Sequence, residues 1–128
     1  MFDKVTIENL SDNKNLPKNT DGWDSYNVDG LTVTDAWVNI GDDCFSPKPN
    51  TTNIYVENLY CNGTHGVSMG SIGQYPGVKD YISNAVVKNV VMLNAEVSSQ
   101  SLLFCSANID HCSYSMFSRV ESSSNLRT

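Results

Sequence analysis

Four six-residue segments share one pattern of apolar and polar positions. They are Val5-Thr6-Ile7-Glu8-Asn9-Leu10, Leu31-Thr32-Val33-Thr34-Asp35-Ala36, Ile54-Tyr55-Val56-Glu57-Asn58-Leu59 and Ala85-Val86-Val87-Lys88-Asn89-Val90. Each is apolar at its first, third and sixth positions and carries Asn or Asp at its fifth. The alternating start predicts a strand with one buried face. The Asn or Asp predicts a bend, because a short amide or carboxylate side chain bonds nearby backbone. The copies begin at residues 5, 31, 54 and 85, so their spacings are 26, 23 and 31. Periods of about 20 to 50 residues indicate stacked repeats. Strand-rich units of about 25 residues suit the coils of a parallel β-helix, each hydrogen-bonded to the next about 4.8 Å away around a narrow apolar stack. A β-sandwich with evenly spaced strands is the competing reading of the pattern alone. Stacked units need capping repeats at their ends, and no capping helix precedes Val5. The expectation is an all-β solenoid fragment of about four coils, with its N- and C-terminal coils missing.

Composition narrows the classes of function. The 128 residues carry a formal net charge of −6, with 8 Lys and Arg against 14 Asp and Glu. No basic stripe exists to bind nucleic acid, and no apolar run approaches the roughly 20 residues of a membrane span. Fifteen Asn and sixteen Ser favour turn-rich β structure over helix, since these side chains compete for backbone hydrogen bonds. Met1-Phe2-Asp3-Lys4 has neither a basic nor an apolar leader region. Three glycosylation sequons, at Asn9, Asn50 and Asn62, point towards secretion. The expectation is therefore a secreted chain without its leader. Cysteines 44, 61, 105 and 112 permit two disulfides in three pairings, and no Cys or His spacing suits zinc, so neither a metal nor a cofactor is expected.

The acidic residues follow the same period. Asp21 lies in Asn19-Thr20-Asp21-Gly22, and Asp42 and Asp43 lie in Gly41-Asp42-Asp43-Cys44, followed by His65 in Gly63-Thr64-His65-Gly66. Asp21 to Asp42 is 21 residues and Asp43 to His65 is 22, so coils of that length would stack all four on one face. Carboxylates gathered this closely cannot all ionise freely, and one proton donor beside ionised neighbours suits hydrolysis of a glycosidic bond. Each motif by itself also reads as an ordinary turn.

These three motifs resemble the signatures of the polygalacturonases, glycoside hydrolase family 28. The third usually reads Gly-His-Gly and here reads Gly-Thr-His-Gly. The longer strings Asn19-Thr20-Asp21-Gly22-Trp23-Asp24, Phe45-Ser46-Pro47-Lys48-Pro49-Asn50 and Cys61-Asn62-Gly63-Thr64-His65-Gly66-Val67-Ser68-Met69-Gly70-Ser71 look most like the fungal exo-acting branch. The resemblance covers about residues 1–95. It implies a right-handed parallel β-helix that hydrolyses α-1,4 links of polygalacturonate with inversion, acting as a monomer. By position, Asp42 would be the general acid, while Asp21 and Asp43 would hold and deprotonate the attacking water. His65 would help keep the acid protonated. Asn19 and Lys48 are the candidate substrate contacts, Lys48 by its place near the groove and not by a family position. The acid and base carboxyls of an inverting site are expected roughly 6.5 to 9.5 Å apart. Adjacent strand residues face opposite sides, so Asp42 and Asp43 need a local irregularity to share a cleft, which Gly41 could supply. Cys44 and Cys61 match family positions expected to form a disulfide. Of the sequons, Asn50 and Asn9 are the expected glycan sites, because a glycan on Asn62 would crowd His65.

The pattern breaks after Asn94-Ala95. The family continues into a Gly-x-Arg-x-Lys element whose cations bind the substrate carboxylate, but here the chain reads Glu96-Val97-Ser98-Ser99-Gln100. The arginines are Arg119 and Arg127, and neither belongs to such an element. Lys48 and Lys79 occupy none of the family's cation positions. Residues 96–128 read as a divergent Ser-rich tail, in which Leu102-Leu103-Phe104 could cap the last coil and Cys105 could pair with Cys112. Two further readings stay open: an endo-polygalacturonase or rhamnogalacturonan hydrolase, and a pectin-binding remnant without turnover.

Overall fold

The computed structural model describes residues 1–13, 15, 17–68 and 72–94, together with the backbone of 112–117. Its elements are all strands: β1 (Phe2–Asp3), β2 (Thr6–Glu8), β3 (Trp23–Ser25), β4 (Asp29–Asn39), β5 (Asp43–Pro47), β6 (Thr51–Asn62), β7 (Gly66–Val67), β8 (Ile82–Leu93) and β9 (Cys112–Phe117). They form two sheets in which every pairing is parallel. The long sheet runs β1-β4-β6-β8-β9, with β2 also on β4, and the short sheet runs β3-β5-β7. From β2 to β8 the chain alternates between the two sheets and returns to each one strand further along. Parallel neighbours require such a crossover, because a hairpin can join only antiparallel strands.

The repeat register is observed for the last three copies. Leu31 pairs with Ile54 and Ile54 with Ala85, so the spacings of 23 and 31 hold. The first copy needs correction. Thr6 pairs with Trp37 and Ile7 with Val38, which sets Val5-Thr6-Ile7 beside residues 36–38 rather than 31–33, and Phe2-Asp3 takes the place beside Val33-Thr34. The step is 31 residues, not 26. Lys4 lies between the two pairings at φ 53°, next in line to Asp35 at φ 51°. The first strand therefore bends where its neighbours do, but with a lysine at the bend.

Alternation explains the core. Val33, Val56 and Val87 stack in register at 0–1% exposure, with Ala36, Leu59 and Val90 in a second inward row. Phe45 and Trp23 pack against them from the short sheet. Cys44 of β5 and Cys61 of β6 are fully buried and bonded to each other, tying the two sheets together.

The bends are built from asparagine ladders. Asp35, Asn58 and Asn89 all have φ between 51 and 56°, the left-handed region that Asn and Asp enter more readily than other side chains. The Asn58 amide donates to Asp35 at 2.7 Å and the Asn89 amide to Asn58 at 3.2 Å. A second ladder runs Asp29–Asn53–Asn84 and a third Asn39–Asn62–Asn94. Most of the described asparagines thus satisfy one another from one strand to the next.

Of the tail, residues 112–117 form β9 beside β8, with Ile82 opposite Cys112. The Leu102-Leu103-Phe104 cap and the pairing of Cys105 with Cys112 lie outside the described residues.

Candidate active site

The three short-sheet strands begin at Trp23, Asp43 and Gly66, so the residues at their N-terminal ends are brought level. The Gly22 N–H donates to the Asp43 carbonyl and the His65 N–H to the Asp42 carbonyl, each at 2.9 Å. Asp21, the Asp42–Asp43 pair and His65 therefore lie at one end of the short sheet, at or just before the starts of three neighbouring strands. Two glycines permit this close stacking. A Cβ on Gly22 would lie 2.4 Å from the Cys44 carbonyl oxygen, and one on Gly41 would lie 2.3 Å from that of Pro17.

The strand irregularity beside the Asp pair lies at Cys44, three residues beyond Gly41, where the sequence placed it. Asp43 pairs with Gly66 but Phe45 pairs with Val67, so Cys44 is an extra residue in β5. Such a bulge turns the side chains on either side of it relative to the regular alternation. Gly41 instead provides room for the loop at Pro17.

Asp42 is the hub of the cluster. Its Oδ2 accepts from the Asn19 backbone N–H at 2.7 Å, and its Oδ1 accepts from the Asp43 N–H at 2.9 Å and faces His65 Nδ1 at 3.2 Å. Asn19 adopts φ 54°, which aims its N–H at the carboxylate. A carboxylate oxygen from each of Asp42 and Asp43 and a ring nitrogen of His65 lie within 4.8 Å of one another. Asp42 and Asp43 are thus closer than the roughly 6.5 to 9.5 Å expected between a general acid and a base that flank a water.

The family model for glycosyl hydrolases family 28 matches residues 1–101. The chain belongs to this family. Two curated relatives are the probable exopolygalacturonase B of Aspergillus terreus, 60% identical over 111 residues, and that of Aspergillus flavus, 68% identical over 96. These alignments cover 86% and 74% of this chain but 26% and 22% of the relatives. The namesake from Aspergillus niger is 57% identical over 96 residues, again 74% of this chain and 22% of the relative. The chain thus spans about a quarter of the length of the curated relatives it matches. No solved structure matches it.

Within this member of family 28, Asp21 has the most crowded surroundings. Burial raises its pKa above the ordinary 3.8, and the hydrogen bond and charge of Asp24 and the charge of Asp42 raise it further, while Lys48 opposes them. The Lys48 ammonium lies 3.5 Å from Asp21 and 3.2 Å from Asp24. Burial pulls the Lys48 pKa down, but the two carboxylates outweigh it and leave the group above its usual value. On the Lys48 side, a cavity of about 430 Å³ opens among Asp24, Tyr26, Lys48, Asn50, Tyr75 and Asp80. Lys79 is exposed and lies in sequence between two of its lining residues, Val78 and Asp80.

Two participants were not singled out from the sequence. The Ser68 hydroxyl donates to Asp43 Oδ2 and lies 3.5 Å from the Ser46 hydroxyl. Asp24 contributes both to the Lys48 pair and to the charge around Asp21. Ser46 and Ser68 are 22 residues apart, the same step as Asp43 to His65, and that repeat was the available signal.

Proposed function

We propose that this chain supplies the catalytic segment of a secreted, monomeric exo-polygalacturonase, with the two parallel sheets as coils of a right-handed β-helix. The alignment of Asp21, Asp42, Asp43 and His65 at one end of the short sheet carries the reading. Asp42, in its protonated form, passes that proton to the glycosidic oxygen as the bond from C1 breaks. A water held by Asp21 and Asp43 attacks C1 from the opposite face and gives up a proton to Asp21, since Asp43 lies too close to Asp42 to be the base across the water, and the attack inverts the anomeric configuration. His65 faces Asp42 at 3.2 Å and orients its carboxyl. Ser68 anchors the side chain of Asp43, and the Asn19 N–H fixes that of Asp42. The disulfide between two buried cysteines suits an oxidising compartment, and Asn50 and Asn9 are the sequons offered for glycans.

The test is incubation of the chain with polygalacturonate, with products resolved by length and the anomer followed by proton NMR. Galacturonic acid monomer alone from the first minutes, released as the inverted anomer, is the expected result. Early mixed oligomers mean endo action, and cleavage confined to rhamnogalacturonan moves the substrate class. Retained binding without any release means a pectin-binding remnant. In an active chain, Asp42→Asn should lower turnover by about 100- to 10,000-fold with an unchanged circular dichroism spectrum, because it removes the proton donor. A variant keeping a tenth of the rate would overturn the acid assignment.

A further inference from the structure

Three carboxylates crowd one end of the short sheet, and a single lysine is spent inside the crowd. Asp21 is faced by Asp24 from β3, by Asp42 from the turn before β5, and by Lys48 from the segment after β5. Side-chain exposure is 15% for Asp21 and 21% for Lys48, so this pair is largely shielded from water. An ammonium so placed must be compensated by partners, and Lys48 has two, Asp21 Oδ2 at 3.5 Å and Asp24 Oδ1 at 3.2 Å. Its backbone is fixed as well, since the Lys48 N–H donates to the Ser25 carbonyl at 2.7 Å. Lys48 borders the cavity and is a candidate cation for the substrate carboxylate, but its ammonium is engaged by two carboxylates of the chain itself.

We infer that Lys48 is a positioning residue of this site, holding the Asp21 carboxylate in place and charged against Asp24 and Asp42, rather than a substrate-binding cation. The inference rests on the hydrolytic reading only for what Asp21 then does with a water. The directions of titration agree with the geometry. Burial, Asp24 and Asp42 all push the Asp21 pKa up, and Lys48 is the group that pushes it down.

The experiment is a carboxyl NMR titration of the full chain labelled with ¹³C at aspartate, with the Asp21 resonance assigned by its loss in Asp21→Asn. Lys48→Met should move the Asp21 midpoint to higher pH, and Lys48→Arg should leave it close to the parent. Asp24→Asn should move it to lower pH, the opposite direction, and Lys48→Gln, which must move it to higher pH, decides if Lys48→Met fails to fold. An Asp21 midpoint that stays put in Lys48→Met, or moves the same way in Lys48→Met and Asp24→Asn, overturns the inference. Kinetics give a second readout. Lys48→Met should shift the acid limb of the kcat profile upwards, costing about tenfold in rate on that limb for each pH unit moved, with KM changed by less than about twofold. A large rise in KM with a fixed pH profile means a substrate contact and overturns the inference. If no version of the chain hydrolyses pectin, the functional reading fails and the NMR arm still decides on Lys48.

Discussion

Asp21 is a residue whose position costs stability. Its carboxyl ionises above the ordinary 3.8 because burial, Asp24 and Asp42 outweigh Lys48. Between 3.8 and the higher folded value, the native chain binds more protons at this site than the unfolded chain does. Stability therefore falls as the pH rises through that window, and the loss persists above it. Asp21→Asn removes the titration. The variant should gain melting temperature relative to the parent on going from pH 3 to pH 6.5, as read by thermal unfolding of both proteins at both values. An identical gap at the two pH values would mean that Asp21 titrates normally. The exposed Asp29 carboxyl has the opposite sign. The Thr52 hydroxyl and the Asn53 amide donate to it and lower its pKa, so its contribution is present above 3.8 and is lost as the pH falls through the folded value. The spacing of 21 and 22 residues made the convergence of Asp21, Asp42, Asp43 and His65 legible in the sequence. The pair of Lys48 with Asp21 was not legible, because a contact across 27 residues follows no repeat step.

Among the elements, the strands and their asparagine bends were readable to different depths. The period-2 alternation identified three copies in their observed register, and the fifth-position Asn or Asp located a bend in each. The first copy slipped by five residues because the six-residue pattern matches Leu31–Ala36 and not residues 36–41, where Ile40 and Gly41 break it, whereas hydrogen bonding sets Val5-Thr6-Ile7 beside residues 36–38. The ladders themselves could not be read, since composition does not say that an amide on one strand will meet the next. Asn58 sits mid-ladder, donating to Asp35 and accepting from Asn89 at φ 56°. Asn58→Ala removes two hydrogen bonds, worth about 0.5–1.5 kcal/mol each, and forces a Cβ residue without a local acceptor into the left-handed region at about 1–2 kcal/mol. Denaturant unfolding should show a loss of about 2–5 kcal/mol. Asn58→Gly keeps the backbone freedom and should lose about half as much. Equal losses in the two variants would mean that the backbone conformation contributes nothing.

At the scale of the whole molecule, charge and proposed substrate oppose each other. The chain carries a net −6, and around the candidate site Asp21, Asp24, Asp42 and Asp43 gather with a lysine already engaged by two of them. Oligogalacturonate is itself a polyanion. Its approach to this chain is resisted by the long-range field and favoured by short-range contacts alone. The two can be separated with salt, because the Debye length falls from about 30 Å at 0.01 M to about 8 Å at 0.15 M. Screening on that scale removes repulsion across the surface but leaves contacts within the cleft nearly untouched. Binding of a fluorescent oligogalacturonate to Asp42→Asn at pH 6, where substrate is not consumed, should therefore tighten as salt is raised across that range. Proteins that hold polyanions through exposed cations show the reverse, with affinity falling as salt displaces the paired ions. If this chain behaved in that way, a cationic subsite would have to outweigh the net charge. Lys48 would then be the first residue to re-examine, since freeing its ammonium would require the Asp21 and Asp24 pairs to open when substrate binds.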